Sequence, residues 1–346
     1  MLAAVLRGPH ELEVTEVPTP EPQEGEILLK VGSNTVCGTD LRILRGEKTA
    51  GVRPGVVLGH EIAGTIAAVG DAVSGYNIGD SAVVSPTITC GNCYFCMREL
   101  EQFCTNTTDI FGYNLDGGLA EYCLIPANVV SRHHLIKAKS GIPAPALSIS
   151  EPLSCVLNAA SNYRVNVGDT VLIIGAGPIG LLHMIVCKLA GATQIIVSDP
   201  SEARRATARS LGADITTDPL NEDLKAAVHD ATDGLGADKT IICIGRPELV
   251  SQAISLTKKG GTVCAFAGFP KGCESSIDPN AIHYGQISLI GASNAKRRNT
   301  EEALRLIEDG LIPTDVIVSH TFPLEKAEEA IEFSASGDGI KVAVIP

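Results

Sequence analysis

A glycine-rich segment in the middle of the chain constrains the fold more than any other feature. It consists of Gly175, Ala176, Gly177, Pro178, Ile179 and Gly180. It follows the apolar run Thr170–Ile174 and opens a segment of helical length, Pro178–Leu189. The pattern G-x-G-x-x-G between a strand and a helix is typical of dinucleotide binding. Gly175 would permit the tight turn, Gly177 would let backbone N–H groups approach a pyrophosphate, and Gly180 would let the helix pack on the strand.

An acidic residue at the end of the next predicted strand indicates which dinucleotide binds. Asp199 follows Gln194–Ser198, where a carboxylate would accept hydrogen bonds from the adenosine ribose and repel a 2′-phosphate. This favours NAD over NADP. Arg204 and Arg205 keep NADP open, because a nearby Arg can hold a 2′-phosphate. The predicted cofactor-binding residues are Gly175, Gly177, Pro178, Ile179, Gly180, Asp199 and Arg204.

The pattern of strands and helices changes along the chain. Residues 1–148 read as short strands separated by Gly and Pro turns, with strands predicted at Glu26–Val31, Glu61–Val69 and Gly118–Ile125. Residues 149–290 alternate apolar strands with helices, which predicts an α/β domain with a doubly wound parallel sheet, the Rossmann architecture. We expect residues 291–346 to return to the first domain, with helices near Thr300–Glu308 and Leu324–Phe333 and a last strand at Lys341–Ile345.

Charge and cysteine usage limit the possible partners and compartment. The chain of 346 residues has 27 Lys and Arg against 40 Asp and Glu, a net charge of −13, which argues against nucleic-acid and membrane partners. The apolar stretch Val171–Leu189 is long enough to raise the question of a membrane helix, but its central glycines and Pro178 favour a strand, a turn and a helix. No secretory signal pattern is visible. We therefore expect a cytoplasmic protein in which the 11 cysteines are not a disulfide framework.

Four cysteines are crowded into one short segment: Cys90, Cys93, Cys96 and Cys104. Their spacing, C-x2-C-x2-C-x7-C, can close a tetrahedron of thiolates around one Zn²⁺ with no open position, which predicts a structural site. An iron–sulfur cluster also uses four Cys and stays open as an alternative. Loss of the metal is expected to disorder the lobe at about residues 88–106 while the parallel sheet persists.

Three further fragments carry chemistry at predicted strand and helix junctions. They are Cys37-Gly38-Thr39-Asp40, Gly59-His60-Glu61-Ile62-Ala63-Gly64 and Glu151-Pro152-Leu153. Each fragment alone has an ordinary structural explanation. With the four-Cys lobe, the glycine-rich turn and Asp116-Gly117-Gly118-Leu119-Ala120-Glu121-Tyr122, all in matching order, the chain resembles the zinc-dependent medium-chain dehydrogenases. The resemblance spans nearly the whole chain and is to the branch containing sorbitol and other polyol dehydrogenases.

The resemblance implies roles for individual residues. Cys37, His60 and Glu61 would surround a catalytic Zn²⁺, and Glu151 would bind the ion directly or through water. Asp40 would accept the second ring N–H of His60. Thr39 would pass the proton of the substrate hydroxyl toward the cofactor ribose and solvent.

The resemblance also implies the fold and the reaction. Residues 1–148 with 291–346 would form a β-rich GroES-like catalytic domain, and the active site would lie in the cleft between the domains. The reaction would be reversible oxidation of a secondary alcohol of a polyol, cyclitol or polyol phosphate, with NAD as hydride acceptor and two zinc ions per chain. A homotetramer or dimer is implied as well. L-threonine and butanediol dehydrogenases are the alternatives, and a zinc-free nucleotide-binding relative is a remote one.

Overall fold

The computed structural model describes residues 1–107 and 109–346, which form two compact units. The first unit comprises Met1–Ser154 and Ala295–Pro346, and the second comprises Cys155–Asn294. The boundaries predicted from the sequence, after residues 148 and 290, lie a few residues earlier. One helix, Ser150–Tyr163, begins in the first unit and ends in the second.

The helices and strands are named in chain order. The strands are β1 (Leu2–Gly8), β2 (Glu11–Glu16), β3 (Ile27–Thr35), β4 (Glu61–Val69), β5 (Ser81–Val84), β6 (Thr87–Ile88), β7 (Asp109–Ile110), β8 (Tyr122–Ile125), β9 (Leu135–Ala138), β10 (Thr170–Ile174), β11 (Gln194–Ser198), β12 (Ile215–Thr217), β13 (Ala237–Ile242), β14 (Thr257–Ala265), β15 (Ser288–Gly291), β16 (Val318–Pro323) and β17 (Lys341–Ile345). The α-helices are α1 (Gly38–Leu44), α2 (Ala127–Ser131), α3 (Ala144–Ser148), α4 (Ser150–Tyr163), α5 (Pro178–Leu189), α6 (Glu202–Ser210), α7 (Leu224–Asp230), α8 (Glu248–Leu256), α9 (Pro279–Gly285), α10 (Arg297–Glu308), α11 (Thr314–Ile317) and α12 (Ala327–Ser336).

The first unit is built on a mixed sheet with the strand order β16-β17-β3-β4-β5-β9, and β8 also pairs with β3. The central strands β3 and β4 are buried along much of their length and place apolar side chains on both faces of the sheet. Leu29 and Ile66 belong to one apolar cluster, whereas Ala63 packs with Leu147 of α3 and Leu304 of α10 in another. Strand β17 and helix α10 lie within Ala295–Pro346, which belongs to this unit.

The second unit is a parallel sheet with the order β12-β11-β10-β13-β14-β15. The predicted doubly wound α/β architecture is confirmed. The strand order reverses between β10 and β13, and ligands of such sheets bind at the carboxyl ends of the strands near that point. The glycine-rich segment leaves β10 at this position. The apolar stretch Val171–Leu189 is divided between β10, a turn and α5, and none of the helices in the described residues is long and apolar enough to cross a membrane.

Some predicted element boundaries are wrong. The strand predicted at Gly118–Ile125 begins only at Tyr122. The glycines before Tyr122 lie beside the segment that contains Gly59 instead. The backbone N–H of Gly118 donates to the Gly59 carbonyl over 3.0 Å. The helix predicted from Thr300 begins at Arg297, where i,i+4 ion pairs extend it by a turn.

Candidate active site and zinc centres

Three of the predicted ligands of the catalytic ion lie together in the first unit. One ligand atom each from Cys37, His60 and Glu61 falls within 4.8 Å of the others. His60 and Glu61 are buried, and Cys37 is half-buried. We call this group the Cys-His-Glu cluster. A thiolate, an imidazole and a carboxylate are the three donor types that bind zinc in proteins, so the chemistry of the set fits the metal.

Asp40 ties the cysteine to the histidine. It lies in the first turn of α1, is fully buried, and accepts the Cys37 backbone N–H at Oδ2 over 2.9 Å. Its Oδ1 lies 3.3 Å from His60 Nδ1, and neither atom has another hydrogen-bond partner within residues 1–107 and 109–346. Burial alone would lower the pKa of His60, but the negative charges of Asp40 and Cys37 outweigh it and raise that pKa well above its ordinary value. Asp40 therefore lies where its carboxylate could accept the Nδ1–H of His60.

The turn that carries His60 is held by close backbone packing. Gly59 has a φ of +92°, and a Cβ there would lie 2.7 Å from the Asn34 side chain. A Cβ on Gly117 would lie only 1.9 Å from the Gly59 carbonyl oxygen. Both positions therefore require glycine. The Asp116–Tyr122 fragment thus contributes to the site by supporting the backbone of the turn before His60.

Two residues that hydrogen-bond to Glu61 were not predicted from the sequence. The Glu61 side chain is 1% exposed. Thr35 Oγ1 donates a hydrogen bond to its Oε2, and the Lys341 ammonium lies 2.7 Å from its Oε1. Burial alone would lower the pKa of Lys341, but nearby negative charges outweigh it and raise the pKa. Those charges belong to Glu61, Cys37 and Glu151.

Glu151 and Thr39 lie close to the cluster without belonging to it. Glu151 is half-buried in the first turn of α4 and is not among the described residues within 4.8 Å of one another. Burial raises the pKa of Tyr113, and the charge of Glu151 adds to that increase, so the carboxylate is within electrostatic reach of the cluster's surroundings. Thr39 is half-buried at the start of α1, two residues after Cys37.

An aromatic and a basic residue flank the cluster and were also missed. The Tyr113 ring meets the His60 ring edge to face, with centroids 6.0 Å apart. Lys48 Nζ lies 5.1 Å from the centroid of the same Tyr113 ring. The Arg53 N–H donates to the Tyr113 carbonyl over 2.8 Å, which joins the loop carrying Lys48 to the segment carrying Tyr113. Neither residue lies in a fragment that marks a metal site, so sequence patterns gave no signal for them.

The four-Cys lobe has the geometry of a tetrahedral thiolate site. The Sγ atoms of Cys90, Cys93, Cys96 and Cys104 are separated by 3.5 to 3.9 Å in the four contacts between them. Four sulfurs about 2.3 Å from one tetrahedral zinc ion lie about 3.8 Å apart. In an iron–sulfur cluster the four thiolates are distributed over two or four iron atoms of one framework, which places thiolates on different irons farther apart. The spacing fits a single zinc ion.

Local hydrogen bonds stabilise the thiolate form of one cysteine in this lobe. Backbone N–H groups of Cys96 and Thr105 lower the pKa of Cys93 to about 5. The Cys90 N–H also donates to Cys104 Sγ over 3.3 Å. The short strands β6 and β7 pair at the base of the lobe and close it.

The glycine-rich turn of the second unit has the backbone geometry predicted for it. Gly175 has a φ of +108°, and a Cβ on Gly180 would lie 1.8 Å from the Gly175 carbonyl oxygen. A Cβ on Gly177 would meet only Arg204 Nη1, at 4.0 Å. Gly177 precedes Pro178 at the N-terminus of α5. The space beside Gly177, the helix N-terminus and the nearby guanidinium fit a phosphate group.

Asp199 has a structural role in addition to the one predicted. It is 3% exposed, and its two carboxylate oxygens accept the backbone N–H groups of Ala176 and Ser201, over 2.7 and 2.8 Å. The carboxylate therefore fixes the glycine-rich turn to the end of β11. Arg205 donates to the Asp199 carbonyl over 2.7 Å and pairs with Glu202 and Asp218, whereas Arg204 Nη1 lies beside Gly177.

Comparisons with known proteins agree with both units. Residues 23–138 match the family described as alcohol dehydrogenase GroES-like domain, and residues 178–309 match zinc-binding dehydrogenase. L-threonine 3-dehydrogenase from Pyrococcus furiosus is 36% identical over 95% of this chain and 94% of its own. Sorbitol dehydrogenase from Halalkalibacterium halodurans is 31% identical over 100% of this chain and 98% of its own. The crystal structure of a putative zinc-binding dehydrogenase from Sinorhizobium meliloti, bound to NADP, superposes with a TM-score of 0.93 at 33% sequence identity. The match covers 100% of this chain and 99% of that one.

Fold, ligand sets and comparisons define an oxidoreductase with a GroES-like unit and a Rossmann unit. The chain belongs to the zinc-binding alcohol dehydrogenase family. The resemblance to zinc-dependent medium-chain dehydrogenases, with sorbitol dehydrogenase among the relatives, is confirmed. The relatives carry both polyol and threonine names, so they leave the substrate to be decided by other means.

Proposed function

We propose that this chain catalyses the zinc-dependent oxidation of a secondary alcohol of a polyol, cyclitol or polyol phosphate to the ketone, with NAD as the acceptor. The observation that carries the proposal is the Cys-His-Glu cluster, a zinc-type donor set outside the four-Cys lobe. A catalytic zinc site keeps a coordination position open, whereas a structural site is closed. Three protein donors in the cluster and four in the lobe fit that distinction.

The residues around the cluster would bind and orient the reactants. When bound, zinc lowers the pKa of a coordinated hydroxyl, and NAD accepts a hydride. Asp40 would keep the His60 imidazole in one orientation by accepting its Nδ1–H. Thr39 would receive the proton of the substrate hydroxyl, and Glu151 would hold a water molecule or the ion itself.

The cofactor proposal rests on the second unit. The negative charge of Asp199 beside the turn disfavours a 2′-phosphate, which supports NAD. Arg204 faces the same turn and supports NADP as the alternative. The homo-oligomeric state and cytoplasmic location stay predictions of the sequence.

A threonine 3-dehydrogenase-like activity is the second candidate, and one observation favours it. Lys48 is half-buried over Tyr113, and no carboxylate of the described residues lies within 4.0 Å of its Nζ. A cation so placed, one aromatic ring away from His60, would suit a substrate that carries a carboxylate. A neutral polyol offers it only hydroxyl groups.

A substrate panel with one variant separates the two candidates. NADH formation is measured with sorbitol, xylitol, inositols, their phosphates, butane-2,3-diol and L-threonine, in the wild type and in Lys48→Met. Lys137→Met is the matched control, because Lys137 pairs with Asp80 on another part of the same unit, over 2.7 Å. If unphosphorylated polyols are the substrates, they are turned over at similar rates by all three proteins. Turnover of a polyol phosphate would fall in Lys48→Met, because a phosphate also pairs with the ammonium.

Each outcome has a distinct meaning. Turnover of L-threonine that falls about 10- to 100-fold in Lys48→Met, the usual loss for a charged hydrogen bond, would establish the second candidate. Turnover of polyols alone would establish the first. A wild-type protein that binds only one zinc ion and oxidises none of the alcohols would contradict both.

A further inference from the structure

The buried ion pair between Lys341 and Glu61 joins the end of the chain to the Cys-His-Glu cluster. Lys341 begins β17 and is 4% exposed, and its Nζ lies 2.7 Å from Glu61 Oε1. Strand β17 pairs with β3, and β3 pairs with β4. The hydrogen bond from Thr35 to Glu61 Oε2 connects two of these strands, β3 and β4.

These contacts occupy both carboxylate oxygens of Glu61, which is itself a member of the cluster. One oxygen accepts the Thr35 hydroxyl, and the other accepts the Lys341 ammonium. A carboxylate attracts both an ammonium group and a metal ion, and it binds each of them more weakly when both are present.

We propose that Lys341 is a positioning residue that competes with the metal ion for Glu61. By holding Oε1, Lys341 keeps Glu61 a weak and replaceable ligand, so that a water molecule or a substrate hydroxyl can occupy the open position of the ion. This inference rests on the proposed function, because it assigns a property to the same metal site. It differs from a purely structural ion pair, which would stabilise the three strands without changing how the ion is held.

The test compares Lys341→Met and Lys341→Arg with the wild type. Removing the ammonium frees Glu61 to bind the ion fully, so zinc release from the cluster to a chelator should slow about tenfold. Changes of residues that contact a metal ligand alter metal affinity by at least that factor, and here the expected direction is tighter binding because Lys341 competes with the ion. Lys341→Arg keeps the charge and should release zinc at nearly the wild-type rate. Lys137→Met serves again as the control and should leave the rate unchanged.

Two further readouts distinguish positioning from structure. With Co²⁺ in place of Zn²⁺ at the cluster, the visible spectrum should change in Lys341→Met and not in Lys341→Arg. Turnover in Lys341→Met should fall with little change in KM. An unchanged spectrum with unchanged or faster metal release would overturn the proposal and leave Lys341 a structural residue.

A second variant covers the case in which Lys341→Met does not fold. Glu61→Gln keeps a hydrogen-bond acceptor for Lys341, and it should change the rate of zinc release less than about threefold, because Glu61 holds the ion weakly. Release that is tenfold faster would overturn the proposal. Failure of the proposed function looks different: the wild-type protein itself would bind zinc only in the four-Cys lobe.

Discussion

The two groups of candidate zinc ligands are built in opposite ways. The four-Cys lobe takes all its ligands from residues 90–104, and backbone N–H groups of the same segment lower the pKa of Cys93. The Cys-His-Glu cluster takes its ligands from the end of β3 and the start of β4, and its charges are balanced by Lys341 at the start of β17. The lobe therefore depends on local sequence, whereas the cluster depends on the sheet of the whole first unit.

The largest expected effect separates the two groups by function. In Cys37→Ser, loss of the thiolate should reduce turnover on the order of a thousandfold or more, equivalent to at least about 4 kcal/mol of activation free energy. NADH binding should persist, because the glycine-rich turn belongs to the second unit. The measurements are steady-state turnover, NADH fluorescence titration and zinc content. Full activity in this variant would show that the cluster is not the catalytic site.

The lobe should respond in the converse way. In Cys93→Ser, one ligand of the closed site is lost, and zinc content should fall by one ion per chain. Such sites stabilise isolated peptides by about 10–16 kcal/mol. In a chain with its own large core we expect only a few kcal/mol, or a fall in Tm of about 5–10 °C.

Limited proteolysis locates the change in Cys93→Ser. New cleavage should occur only within residues 88–106, while the cluster keeps its zinc ion. Loss of both zinc ions together would show that the lobe and the cluster are not independent.

The smallest expected effect concerns two histidines whose pKa values are shifted in opposite directions. His134 lies beside the four-Cys lobe, and His60 belongs to the Cys-His-Glu cluster. Burial and the charge of Arg297 together lower the pKa of His134 to about 4, whereas the pKa of His60 is raised. His134 Nε2 lies 3.5 Å from the backbone N of Thr89, next to the lobe. Because the folded-state pKa is below the unfolded value of about 6.5, the unfolded chain binds the proton first. Stability from His134 is therefore complete above about pH 6.5 and is lost as the pH falls toward 4.

His134→Gln should remove this pH dependence. Wild-type protein should lose about 1.4 kcal/mol of unfolding free energy at pH 5.5 through His134, and the variant should lose none of it. Thermal unfolding at pH 8 and pH 5.5 measures the difference. His283→Gln is the control, because His283 is exposed. Equal pH dependence in His134→Gln and the wild type would contradict the assigned pKa.

The same contrast explains what could be predicted from the sequence. The glycine-rich turn and the four-Cys lobe are contiguous, so spacing alone indicated their geometry. Cys37 and His60 were found through the family resemblance, since no local pattern joins them. Thr35 and Lys341 were missed, although β17 was predicted with the correct bounds. Their contacts with Glu61 depend on the pairing of β17, β3 and β4, which is a property of the sheet and not of any one strand.

The Lys341–Glu61 pair has a consequence for the order in which the protein assembles. Its two residues are 280 positions apart in the chain, whereas Cys90 and Cys104 are separated by 14. Closing the longer loop costs roughly 2.7 kcal/mol more in chain entropy. Contacts between distant residues also form late in folding. During folding we therefore expect zinc to enter the lobe early and the cluster late, so the last part of the protein to mature is the part that carries out the chemistry.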